Sequence, residues 1–181
     1  MDSARGQLLI AGPGLLDPNF RRTVVLVVEH TDEGALGLVL NRPSETSVRE
    51  AIPELEELLE LDDRVFIGGP VQPSAVIVLA EFEDATDAAL IAFDDVGVLA
   101  TGAAPDEPVV GLRRGRAFVG HSGWGPGQLD SELERGDWIL EPAQNEDAFS
   151  ASALDLWPTV LTRKGGSYAL VARMPSDPSL N

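Results

Sequence analysis

Cysteine is absent from this 181-residue chain. That one absence excludes disulfides, zinc–thiolate sites, iron–sulfur clusters and any thiol nucleophile. It fits a reducing compartment, and the sequence reads as that of a cytoplasmic protein. Long apolar runs are also missing. No stretch approaches the roughly 18 residues of a membrane span. The segment Leu8 to Leu16 has a faint signal-peptide look, but Gly12, Pro13 and Gly14 interrupt it and it runs into strand-like sequence. Basic residues are scarce: 13 Lys and Arg stand against 30 Asp and Glu, a formal net charge of -17. Nucleic-acid binding rewards clustered cations through released counterions, and an anionic bilayer surface repels the same field, so neither partner is expected. The small clusters Arg113, Arg114, Arg116 and Arg21, Arg22 read as solvated groups or as partners of neighbouring acids. Catalytic signatures are missing too, with no Gly-x-Ser-x-Gly elbow and no His-Glu-x-x-His.

What is present is an ordinary globular composition, 44% apolar and 24% charged. The length fits a single domain over residues 1–181, with an extended or disordered tail from about 174 to 181. Burying roughly 70% of the unfolded surface makes cross-links unnecessary. Gln7 to Ala11 is a short strand, and Thr23 to Val28 is a continuous β-branched and apolar run of the kind buried on both faces. After a turn at Thr31 to Gly34, Leu36, Leu38 and Leu40 share one face of a second strand, giving a hairpin. Ser47 with Glu50 forms a capping box that starts a helix. Its stripe is Val48, Ile52, Leu55, Leu58 and Leu59, with Pro53 as a kink or restart.

Further strands are expected at Arg64 to Ile67, Val76 to Phe82, Ala117 to Gly120 and Trp138 to Leu140. Ala88 to Ile91 could be helical, and Thr101 to Pro108 reads as a mobile loop. Gln128 to Arg135 is a helix stopped by Gly136. Ala148 to Leu161 is a helical pattern disturbed by Pro158, and Tyr168 to Ala172 is a strand or a short helix. Irregular alternation of strands and helices predicts a mixed sheet rather than a regular βαβ series.

Five segments in order resemble the AlgH/YqgE family of bacterial proteins. They are Gly6-Gln7-Leu8-Leu9-Ile10-Ala11, Leu16-Asp17-Pro18-Asn19-Phe20 with Arg22-Thr23-Val24-Val25, and Gly37-Leu38-Val39-Leu40-Asn41-Arg42-Pro43. Val65-Phe66-Ile67-Gly68-Gly69-Pro70-Val71 and Gly123-Trp124-Gly125-Pro126-Gly127-Gln128-Leu129 complete the set. The resemblance implies an α/β (α+β) fold, a bifurcated mixed β-sheet curled into a pseudo-barrel with flanking helices. Members are sometimes labelled transcriptional regulators, after an association with alginate production in one lineage. The family supplies no catalytic residue to carry over. It usually has Tyr where His121 stands here.

The candidate binding residues are Asp17, Asn41, Arg42, Gly68, Gly69, Trp124 and Gln128. Arg42 could clamp an anion with Asn41 beside it, or both could bond loop carbonyls where a strand ends. Gly68-Gly69-Pro70 could let a ligand approach the backbone, or serve as a tight turn. It lacks the Lys-Ser/Thr of a P-loop and does not fit the dinucleotide fingerprint. Gly123 to Gln128 leads into a helix whose N-terminus could hold an anion, or is simply a capped helix start. Trp124 could be a stacking platform or an anchoring residue. The expected function is a non-catalytic regulatory or binding module for a small molecule or a protein partner, with no metal and no cofactor. The alternative is a hydrolase or metal-dependent enzyme joining His30 and His121 to a nearby carboxylate.

Overall fold

The computed structural model describes residues 3–53, 64–99 and 111–175. The apolar runs become ten strands: β1 (Gln7–Ala11), β2 (Val24–Thr31), β3 (Gly34–Val39), β4 (Pro43–Ser47), β5 (Arg64–Ile67), β6 (Val71–Phe82), β7 (Ala88–Phe93), β8 (Val96–Leu99), β9 (Leu112–Trp124) and β10 (Trp138–Pro142). Short helices occupy the periphery: α1 (Val48–Ala51), α2 (Gln128–Glu134), α3 (Asn145–Ala148), α4 (Leu156–Lys164) and α5 (Ser167–Val171). The fold is α+β, dominated by one mixed sheet that is antiparallel except where β5 runs parallel to β9.

The sheet forks on β9. This strand pairs with β6 over most of its length, with β5 at Phe118 and Val119, and with β3 from Ser122 to Trp124. One wing runs β10-β1-β2-β3 and the other β6-β8-β7, with β4 and β5 on a side branch. The hydrogen-bonded path ends on β10 and β7 and is open, so the expected closure into a pseudo-barrel is not found among the described residues. Ladder bonds join the wings at β9, and beyond it side chains do. Leu8, Ile10, Leu26 and Val28 of the first wing share a buried cluster with Leu79, Ala92, Val96 and Phe118.

The continuous apolar run of β2 is explained by this arrangement. Val24, Leu26 and Val28 face that inter-wing cluster, which Leu156, Trp157, Val160 and Leu161 of α4 also enter. Val25 and Val27 face the other way, into a second cluster with Leu9, Val39, Trp124, Leu129 and Trp138. All five β2 residues are fully buried, each worth about 1.5–3 kcal/mol of transfer free energy. A run without polar alternation is what a strand covered on both faces requires.

Several local expectations change in the structure. Ala88 to Phe93 is strand β7, because β8 pairs with it from Ala88–Leu99 to Phe93–Val96 and neighbour pairing overrides the helical leaning of its alanines. The helix begun at Ser47 does start there, with the Ser47 hydroxyl accepting from the Glu50 N–H at 3.3 Å, and its first turn closes at Ile52 before Pro53. The rest of its predicted stripe and the Thr101 to Pro108 loop lie outside the described residues. The pattern from Ala148 to Leu161 divides into α3, a 3-10 turn at Ala153–Asp155, and α4. Pro158 is the third residue of α4, where the backbone N–H has no intrahelical partner to lose, so it starts a helix rather than breaking one. Tyr168 falls in a short helix, α5.

Candidate functional site

Asn41 and Arg42 leave β3 beside the loop between β1 and β2. The Asn41 amide replaces a strand neighbour: its Oδ1 accepts from the Val24 N–H at 3.0 Å and its Nδ2 donates to the Arg22 carbonyl at 2.9 Å. The Arg42 guanidinium donates to the carbonyls of Asn19 (2.7 Å), Pro18 (2.9 Å) and Arg21 (3.3 Å). Burial pulls its pKa below the ordinary guanidinium value, against the pull of nearby Asp17. Asp17 is exposed and turns the same loop, accepting from the Asn19 N–H at 2.8 Å. The loop-holding alternative therefore describes Asn41 and Arg42.

The same loop carries Phe20, whose ring lies 6.3 Å from Trp124 and 5.7 Å, edge-on, from Trp138. Trp124 is buried at 6% exposure in the second cluster. It anchors the loop and offers no open face for stacking a ligand. Gln128, the first residue of α2, folds back so that its Oε1 accepts from the Gly125 N–H of the preceding turn at 3.0 Å.

Gly68 and Gly69 occupy the fork. The Gly68 N–H donates to Val119, and its carbonyl accepts from the Val39 N–H at 2.9 Å and the Ser122 hydroxyl at 3.1 Å. One residue thus ties β3, β5 and β9 together. A Cβ on Gly68 would meet the Gly120 carbonyl oxygen at 2.4 Å, and one on Gly69 would meet the His121 carbonyl at 2.3 Å. Close backbone approach explains the pair, with protein rather than ligand as the approaching group.

The two histidines serve different surroundings. His30 Nδ1 accepts from the Ala4 N–H at 2.8 Å, which places the proton of the neutral ring on Nε2, 3.5 Å from Asp130 Oδ1. His121 lies opposite Val71 on β9, and its Nδ1 is buried without a hydrogen-bond partner among the described residues. Burial lowers its pKa from the ordinary 6.5. No group of three or more His, Asp or Glu side chains placed to hold a metal occurs among the described residues. The hydrolase or metal-enzyme alternative built on both imidazoles has no assembled site there.

A concave feature that no sequence pattern announced lies on the side branch. Pro43, Ser44 and Glu45 of β4, Arg64 and Phe66 of β5, Arg116 of β9 and the segment Phe149 to Asp155 enclose a groove of about 780 Å³. Arg116 lies over the Phe66 ring at 4.3 Å and reaches the Ala148 carbonyl at 3.4 Å. Phe149 on the opposite wall is covered by the Arg114 guanidinium at 4.8 Å. Arg114 in turn is fixed by Glu81 at 3.0 Å and Glu146 at 2.8 Å. Arg64 donates to the main-chain carbonyl of Glu45. The available signal was the spacing of Arg114 and Arg116, two apart on a strand and so on one face. The remaining wall is hidden in a segment that reads as uninterrupted helix.

Fold and geometry together define a class: an α+β protein with a forked mixed sheet and a groove on its side branch. Within that class the chain belongs to the AlgH-like family, whose model matches residues 8–169, as the five sequence segments implied. It is 41% identical over 190 aligned positions to a UPF0301 protein of Thermobifida fusca, covering 99% of this chain and 96% of that one. A UPF0301 protein of Streptomyces avermitilis is 38% identical, with coverage of 100% and 97%. Among solved structures, a crystal structure of a Corynebacterium diphtheriae protein superposes with a TM-score of 0.85 at 29% identity, covering 96% of this chain and 94% of that chain. The solution structure of the AlgH protein from Pseudomonas aeruginosa gives 0.72 at 27% identity, with coverage of 96% and 95%.

Proposed function

We propose that the chain is a single-domain, non-catalytic binding module of the cytoplasm that takes a small organic ligand in the groove between β4, β5 and the Phe149–Asp155 segment. The supporting observation is the groove itself. Its volume falls in the range of small-molecule sites, roughly 300–1,000 Å³, and it combines aromatic walls with a few fixed polar groups. Asn41, Arg42 and Asp17 support it at one remove. They pin the chain immediately before Pro43 and Ser44, which form one wall. Gly68, Gly69, Trp124 and Gln128 hold the fork and loop behind it. The wings of the sheet curl toward a barrel-like enclosure completed by side-chain packing, which leaves this branch as the recessed face.

In this reading any regulatory role runs through ligand-dependent contact with a protein partner, since an acidic surface complements basic ones. The test is a small-molecule library screened by amide chemical shifts. Binders are expected to perturb residues 64–66 and 149–155. If every binder perturbs other surfaces and spares both segments, the reading fails.

A further inference from the structure

Resting on that reading, we infer that the groove selects an amphipathic small anion, a carboxylate or phosphate joined to an apolar body. Two walls of opposite character carry the inference. One wall presents guanidinium groups. Arg64 is bonded to a neutral carbonyl, that of Glu45, and enters no ion pair with a described residue, whereas Arg113, Arg114, Arg135 and Arg163 each pair with a carboxylate. Arg116 sits over the Phe66 ring at 4.3 Å and donates to the Ala148 carbonyl, so its position is set before a ligand arrives. A planar guanidinium fixed in this way recognises a carboxylate or phosphate with little further ordering.

The other wall, residues 149–155, holds large apolar side chains beside Ser150, Ser152 and Asp155. It carries Phe149 and Leu154, and Leu154 is 77% exposed, the most exposed large apolar side chain among the described residues. An exposed leucine beside an aromatic ring, facing two arginines, suits a molecule with one charged end and one greasy end. Two carboxylates also border the groove, those of Glu45 and Asp155, both exposed to water. Solvent screens these carboxylates and the equally exposed Arg64 alike, so an anion is read by direct contact with the guanidinium groups rather than by a net local field. In a chain of net charge -17, long-range attraction does not bring an anion here. Selection is therefore short-range and resides in the off-rate.

The experiment titrates the full chain with octanoate, phenyl phosphate, octanol and octylammonium, following amide shifts of residues 64–66 and 149–155. Octanoate or phenyl phosphate is expected to bind at least tenfold more tightly than octanol or octylammonium. Arg64→Met, which keeps the apolar stem, is expected to weaken the anion about tenfold or more and leave octanol unchanged, a loss of one good charge-assisted contact. Leu154→Glu, at an exposed position that folding does not need, is expected to weaken the anion similarly. Unchanged melting temperatures establish that both variants fold. If octanol or octylammonium binds in the groove as well as octanoate, the anion inference fails and the binding module stands. If Arg64→Met and Leu154→Glu both bind octanoate like the parent chain, it fails as well. If library and probes alike leave the groove silent, the binding reading itself is lost.

Discussion

His121 is a titratable ring placed where protonation has nowhere to go. Its Nδ1 is buried without a partner among the described residues, and burial depresses its pKa. The folded state therefore favours the neutral ring. Above the ordinary value of 6.5 both folded and unfolded chains hold it neutral and stability is unaffected. As the pH falls below that value the unfolded chain takes up the proton first, so stability declines until the folded pKa is also passed. Melting temperatures measured from about pH 7.5 to about pH 5.5 should fall in the parent chain. His121→Tyr, which removes the titrating ring, should flatten the decline. Equal slopes for both proteins would show that another group is responsible. Asn41 illustrates the opposite use of polarity. Both ends of its amide bond backbone at a strand end, so its place in the sequence beside an arginine resembles a binding motif while its work is structural.

Among the elements, α3 and α4 are joined by a buried pair. Asp147 is 3% exposed and accepts from Arg163 through both oxygens, at 2.8 and 2.9 Å, and from the Gln144 N–H at 2.8 Å. Removing one member of such a pair leaves the other desolvated. Asp147→Asn should destabilise the fold by about 3 kcal/mol, the low end for a buried pair because Arg163 remains partly exposed. Urea denaturation reads this directly, and a loss below about 1 kcal/mol would reduce the pair to a surface contact. Lys164, the last residue of α4, donates to the Leu140 carbonyl at 2.7 Å and so covers the outer edge of β10.

Most strands were legible because their signal is local. β1, β2, β3 and β5 announce themselves by apolar runs bounded by Gly, Pro or Asp. β4, β8 and the ends of β9 were not, and β7 leaned helical, because Pro43, the short run Val96–Leu99 and Arg113-Arg114-Gly115-Arg116 become strand only through their neighbours. The same holds for the groove. Asp17, Asn41, Arg42, Gly68, Gly69, Trp124 and Gln128 were visible as punctuation, and punctuation reports where a chain turns. The groove is built by tertiary approach of β4, β5, β9 and residues 149–155, and no window of sequence contains it.

For the molecule as a whole, charge decides which partners are within reach. With 30 acidic and 13 basic residues, the field opposes a polyanion. The described arginines of β9 are divided between ion pairs and the groove rather than arrayed along a helix. Gel-shift titration against duplex DNA near physiological salt should detect no complex, and submicromolar binding would contradict the charge argument. One consequence of the fork concerns synthesis. β1 awaits β10 and β3 awaits β9, so the most apolar part of the chain emerges from the ribosome with both outer strands unpaired. At roughly 5–20 residues per second the wait for residue 142 lasts about 5–20 s. Throughout that interval both edges of the nascent β1-β2-β3 sheet stand open to pairing with other chains.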